Sequence, residues 1–147
     1  MKSPYLAALV GGATISLLPT WLVAQIAARF PALAPQELEI VSEFFGSGIG
    51  IPQIIFFSII VFLIPPIEEA IFRGGLWKLL EWKLSPYWTW ILISVLFAAI
   101  HMEPLHILGL LPLSFFLGWL RLKTNELGPS IVAHMMNNLV ACVFMLV

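Results

Sequence analysis

Glu68, Glu69 and Arg73 stand together in the run Ile67-Glu68-Glu69-Ala70-Ile71-Phe72-Arg73-Gly74, and the chain around them is almost wholly apolar. Ionisable groups within a membrane span are costly and mark a working site by default. Two further pairs occur later in apolar segments, Phe97-x-x-x-His101 and His134-x-x-x-Asn138. Carboxylates, imidazoles and a carboxamide are the groups with which a hydrolase activates water and holds the charge that develops on an attacked carbonyl.

Spacing divides the roles. Glu69 and Arg73 are four apart, so on a helix they share a face and can form an ion pair. Glu68 points roughly 100° away from Glu69 and is free to face another partner. Glu69 and Arg73 are thus expected to secure the site while Glu68 does the chemistry, since desolvation makes a carboxylate a better proton acceptor for an attacking water. The competing reading is a helix-packing triad without catalysis. Phe97 lies one turn from His101 and can fix its ring, leaving His101 to share water activation or to ligate a metal. His134 and Asn138 can both donate hydrogen bonds to an oxyanion, or can serve as polar glue between helices. Asn137 is read as a neighbour on another face. Glu103 and His106 flank Pro104 at an expected turn and are read as solvated turn residues rather than ligands.

These residues need elements to hold them, and composition says which. Of the 147 residues, 61% are hydrophobic and 10% charged; the mean hydropathy is +1.01. Soluble domains carry about 25% charged residues, so this is an integral membrane protein. A net charge of −1 without a basic cluster gives no footprint for nucleic acid. The single cysteine, Cys142, excludes an internal disulfide and reads as a buried, inert thiol.

The expected fold is all-α, a polytopic transmembrane bundle of about five crossings. Pro4–Ala28 is too long for a signal-peptide core and reads as a retained span. A polar connection follows over Arg29–Gly50, with room for a surface helix around Pro35–Phe45. Ile51–Leu80 contains Pro65-Pro66 and reads as one kinked crossing, because neighbouring helices can re-satisfy groups that proline frees. Further apolar segments cover Tyr87–Met102, Leu105–Leu120 and Pro129–Val147. This divides the chain into an N-terminal span and loop, residues 1–49, and a core, residues 50–147. Lys2, Lys78, Lys83, Arg121 and Lys123 then fall on one side, which by the positive-inside rule places the N-terminus in the cytoplasm. Trp77, Trp82, Trp88, Trp90 and Trp119 lie near helix ends and read as interfacial anchors.

Depth arithmetic tests whether the motifs can meet. Glu68 precedes Trp82 by 14 residues and His101 follows Tyr87 by 14, so each lies roughly 21 Å from the loop joining their helices. His134 and Asn138 are only about 9 and 15 Å beyond Gly128, so tilt or a shortened helix must close the gap.

The three ordered motifs resemble those of the CAAX prenyl protease and bacteriocin-processing family of intramembrane proteases, the CPBP or Abi family, over Gly50 to Val147. The resemblance implies that Glu68 and His101 activate water, that His134 and Asn138 form the oxyanion site, and that Glu69, Arg73 and Phe97 support them. It implies an endopeptidase acting on a peptide or membrane-protein substrate in the lipid bilayer of a prokaryotic-type cell membrane. One crossing before the motif core, where prenyl-trimming relatives carry more, fits a small prokaryotic-type member acting on peptides or a membrane protein, with bacteriocin self-immunity as one role the resemblance implies. Two cofactor readings stay open. Glu68, His101 and His134 could hold Zn2+ with one open position, whereas no His-Glu-x-x-His helix is present and a metal-free glutamate mechanism is equally consistent. Two other function classes remain: a catalytically silent membrane module that binds a partner, and a proton or ion pathway.

Overall fold

Proline and small polar residues set where the helices begin. Ser3 precedes α1, Pro4–Thr14, and its hydroxyl accepts the Leu6 N–H at 3.2 Å, with Pro4 in the first turn. Ser85 and Pro86 repeat the device at α4, Pro86–Ala99. Between them lie α2, Leu17–Arg29, and the long helix α3, Ile51–Glu81. Glu103 and Pro104 open α5, Pro104–Thr124, which stops at Asn125 in the left-handed conformation, φ 57°, its N–H returned to the Arg121 carbonyl. The last helix, α6, covers Gly128–Leu146. This computed structural model describes residues 3–15, 17–33, 43–46 and 48–146, and no strand occurs among them. The surface helix expected over Pro35–Phe45 lies mostly outside the described residues; residues 43–46 are helical.

The all-helical architecture expected from composition is what the chain adopts. Pro4–Arg29, Ile51–Glu81 and Pro104–Thr124 are each long and apolar enough to cross a membrane. Helix α4, with 14 residues, is about 21 Å long, shorter than a hydrocarbon core of about 30 Å. The stretch with Pro65-Pro66 is one helix, not two. It tolerates the prolines by changing register, taking i→i+5 bonding over Ile59–Leu63, α-helical bonding over Ile64–Glu69, and i→i+5 bonding again over Ala70–Leu76. Such π-turns recur at functional sites, and Glu68 and Glu69 sit between two of them.

Small residues allow the helices to meet closely. A side chain at Gly12 would collide with the Ala133 backbone, so α1 packs directly on α6. A side chain at Gly118 would strike the Trp90 ring and the Ser94 hydroxyl, which brings α5 against α4. One core cluster joins Ala8, Leu113, Leu117, Leu120 and Ala133, and a second joins Phe72, Trp77, Ile93 and Phe97. Leu6, Val10, Ile54, Ile71 and Val95 point outward, as lipid-facing residues do.

The tryptophans do not behave alike. Trp82 and Trp88 are exposed, consistent with anchoring, but Trp77 is buried in the core with its indole N–H donating to Glu81. Trp90 spends its N–H on the Phe115 carbonyl of α5. Position near a helix end does not distinguish a ring facing lipid from one facing the bundle.

Candidate active site

The site grows from α3. Glu69 and Arg73 form the expected four-residue ion pair, Oε1 to Nη1 3.0 Å, with both side chains fully buried. A buried guanidinium calls for further acceptors, and α5 supplies two to Nη2, while Nε has none among the described residues. Arg73 Nη2 donates to the Ser114 carbonyl at 3.0 Å and to the Ser114 hydroxyl at 2.8 Å. That hydroxyl donates in turn to the Ser94 carbonyl, while the Ser94 hydroxyl donates back to the Ser114 carbonyl. The guanidinium also lies 4.4 Å from the centre of the Phe97 ring, a cation–π contact. Arg73 is therefore pinned among α3, α4 and α5. From the other side Arg121 donates its Nε–H to the Arg73 carbonyl and covers Trp77.

His134 connects this anchor to the second carboxylate. Its Nδ1 lies 3.2 Å from Glu69 Oε1, and its Nε2 lies 3.6 Å from Glu68 Oε2. A carboxylate oxygen only accepts, so Nδ1 carries a proton toward Glu69. The two glutamates differ sharply: the Glu69 side chain is 0% exposed and that of Glu68 is 27% exposed. Phe97 packs edge-on against the His134 ring, 5.6 Å between centroids. The gap that depth arithmetic left between His134 and the glutamates is closed.

His101 stands just beyond α4, in a turn where Met102 takes a left-handed conformation, φ 56°. It is not on the regular helix, since its N–H reaches back three residues to Ala98. Its Nδ1 lies 3.1 Å from the Phe97 carbonyl. A carbonyl cannot donate, so Nδ1 carries the proton and Nε2 of the neutral ring keeps a lone pair. The His101 ring also packs on Phe97 and on His106. Phe97 thus touches Arg73, His101 and His134.

Asn138 is engaged differently from the expectation of a free donor. Its Nδ2 donates to the Ile60 carbonyl at 3.1 Å, and its Oδ1 accepts from Asn137 Nδ2 at 3.3 Å. One amide N–H is left over. Glu68, Glu69, Arg73, Phe97 and His134 are in one contact network. His101 joins it through Phe97, and Asn138 joins it through the backbone of α3.

The zinc reading was tested against the donor set. Among the described residues no three His, Cys, Asp or Glu side chains gather closely enough to hold a metal ion. Glu68, His101 and His134 do not form a ready ligand set in this arrangement. Glu103 precedes α5 at the α4–α5 turn, but His106 lies in the first turn of α5 with its ring packed on His101, and both are half-buried rather than the solvated turn residues the sequence suggested.

Sequence reasoning missed Ser94, Ser114 and Arg121, and underrated Asn137. The signal for Ser94 and Ser114 was present, since each is a hydroxyl inside an apolar helix; Ser114 faces the buried charge that needed acceptors, and Ser94 pairs with Ser114. No comparable signal marks Ile60, whose contribution is a backbone carbonyl.

Comparison with known proteins adds the family. Neither the curated proteins nor the solved structures contain a match to the chain. Residues 50–140, the part carrying all three motifs, match the family described as type II CAAX prenyl endopeptidase Rce1-like. With that match over more than half its length, the chain belongs to the Rce1-like family of CAAX prenyl endopeptidases, and is a CAAX-protease-like membrane endopeptidase at the level of family.

Proposed function

We propose that this chain is an intramembrane endopeptidase in which Glu68, assisted by His101, activates water against a peptide carbonyl while His134 and Asn138 receive the oxyanion. The observation that carries the reading is the unequal burial of the two adjacent glutamates. Glu69 is enclosed and engaged by Arg73 and His134, whereas Glu68 keeps 27% exposure and faces His134 Nε2. A general base must reach water; a structural carboxylate need not.

The roles follow from the atoms. Glu68 takes a proton from water as the water oxygen bonds to the carbonyl carbon and the C=O electron pair moves onto oxygen. In its imidazolium form, with Nδ1–H held by Glu69, His134 offers its Nε2–H to that oxyanion, and Asn138 offers its remaining amide N–H. When the oxyanion collapses, the C–N bond breaks and the proton held by Glu68 passes to the leaving amine. His101, its Nδ1 proton tied to Phe97, offers Nε2 as an acceptor for the water. Glu69 orients His134 much as a buried carboxylate orients a catalytic imidazole.

The substrate class is a peptide or membrane-protein segment entering from the bilayer, in a protein of about five crossings with a cytoplasmic N-terminus in a prokaryotic-type membrane. Incubating the purified protein with a prenylated CAAX peptide and with its unprenylated counterpart, each with and without chelator, tests the reading. Cleavage of either peptide at a defined bond agrees with it. Failure to cleave any peptide or membrane-protein substrate favours the silent partner-binding module.

A further inference from the structure

Pro65 and Pro66 leave the Ile60 and Val61 carbonyls of α3 without an N–H from the helix itself, and Asn138 serves the first of them. In the π-turn before the prolines, the Ile64 N–H bonds to the Ile59 carbonyl. The Ile60 carbonyl would take the N–H of residue 64 in the α register or of residue 65 in the π register. The first is spent on Ile59, and residue 65 is a fully buried proline with no N–H. The open carbonyl accepts instead from Asn138 Nδ2 at 3.1 Å, and the other end of that carboxamide is held by Asn137.

We propose that Pro65 is a positioning residue for Asn138: by leaving the Ile60 carbonyl open, it anchors one amide N–H and so fixes the direction of the other. Asn138 lies one helical turn from His134 on the same face of α6, so an anchored carboxamide offers its second N–H beside the His134 ring edge. An unanchored carboxamide would rotate about its terminal torsion, which is broad. Burial demands the arrangement as well, because an orphaned carbonyl in a membrane bundle must find a donor. The functional half of this proposal rests on Asn138 acting as an oxyanion donor; the anchoring half does not.

The test is a double-mutant cycle on the full-length protein in detergent, with Pro65→Ala, Asn138→Ala, the double variant, and Pro66→Ala as control. Pro66 faces Val61 and Phe62 in the two registers, so its replacement leaves the Ile60 carbonyl untouched. Pro65→Ala restores an N–H that, continuing the i→i+5 register in which Ile64 bonds Ile59, competes for the Ile60 carbonyl. Asn138→Ala is expected to lower the unfolding midpoint by several degrees in the parent and by less than half as much in the Pro65→Ala background. Equal losses in both backgrounds would overturn the anchor. On a cleaved peptide, Pro65→Ala is expected to lower kcat about 10-fold or more with KM within about twofold and no loss of midpoint, while Pro66→Ala keeps full kcat. Full kcat in Pro65→Ala despite coupled stabilities would overturn the positioning role and leave Asn138 as interhelical glue. A parent without peptidase activity would count against the proposed function alone, since the stability cycle still decides the anchor.

Discussion

Glu69 Oε1 lies 3.2 Å from His134 Nδ1, joining helix α3 to helix α6 through the same oxygen that receives Arg73 at 3.0 Å. Adjacent glutamates in sequence thereby acquire different duties. Glu69 is consumed by two cationic or proton-bearing neighbours, and the imidazole it orients presents its far nitrogen to Glu68. Replacing Glu69 by Gln leaves Arg73 without a countercharge and weakens the hold on His134. Both folded yield and turnover should fall, whereas Glu68→Gln should lower turnover alone; comparing unfolding midpoints and cleavage rates of the two variants checks this.

Arg73→Ala should be more destabilising than Glu68→Gln. Removing one partner of a buried pair leaves an uncompensated charge at a cost of about 3–5 kcal/mol. Equal stability of Arg73→Ala and the parent, measured by unfolding in detergent, would contradict the supporting role of the pair.

The serine clamp makes a smaller and more specific prediction. Ser114→Ala removes one of the two acceptors for Arg73 Nη2, and hydrogen bonds to charged groups contribute about 1.5–3 kcal/mol. With the Ser114 carbonyl still accepting, the loss should fall at the low end of that range. Ser94→Ala, which does not touch Arg73 directly, should cost less. The order of the two unfolding free energies is the check.

Much of this arrangement was legible in the sequence. A four-residue spacing of opposite charges in an apolar run foretells the Glu69–Arg73 pair, whereas the Phe97–His101 ring contact is made from a turn beyond the end of α4. Helix starts expected at Pro4, Tyr87 and Leu105 fall within one residue of the observed Pro4, Pro86 and Pro104. What could not be read was register and partnership across helices. Two π-turns decide where Glu68 and Glu69 point, and no periodicity in the sequence announces them. The bond from Asn138 to Ile60 depends on a missing proline N–H five residues along, visible only once the register is known. Trp77 was misread because its sequence position is that of an anchor, while its neighbours Arg121 and Phe72 belong to the core.

Topology gives an independent check. The five-crossing arrangement puts Lys78, Lys83, Arg121 and Lys123 on the cytoplasmic side. A reporter active only outside the cytoplasm should give signal when fused after Val147 and none when inserted near Thr124. The reverse pattern would discard that arrangement.

The most direct test of the account is the cleavage rate of the Glu68→Gln protein. The substitution keeps the shape and hydrogen-bonding capacity of the side chain and removes only the base. Turnover should fall at least about 100-fold, the scale of general-base loss, with the unfolding midpoint held at the parent value. Unimpaired cleavage by folded Glu68→Gln protein would contradict the assignment of Glu68 as the group that activates water.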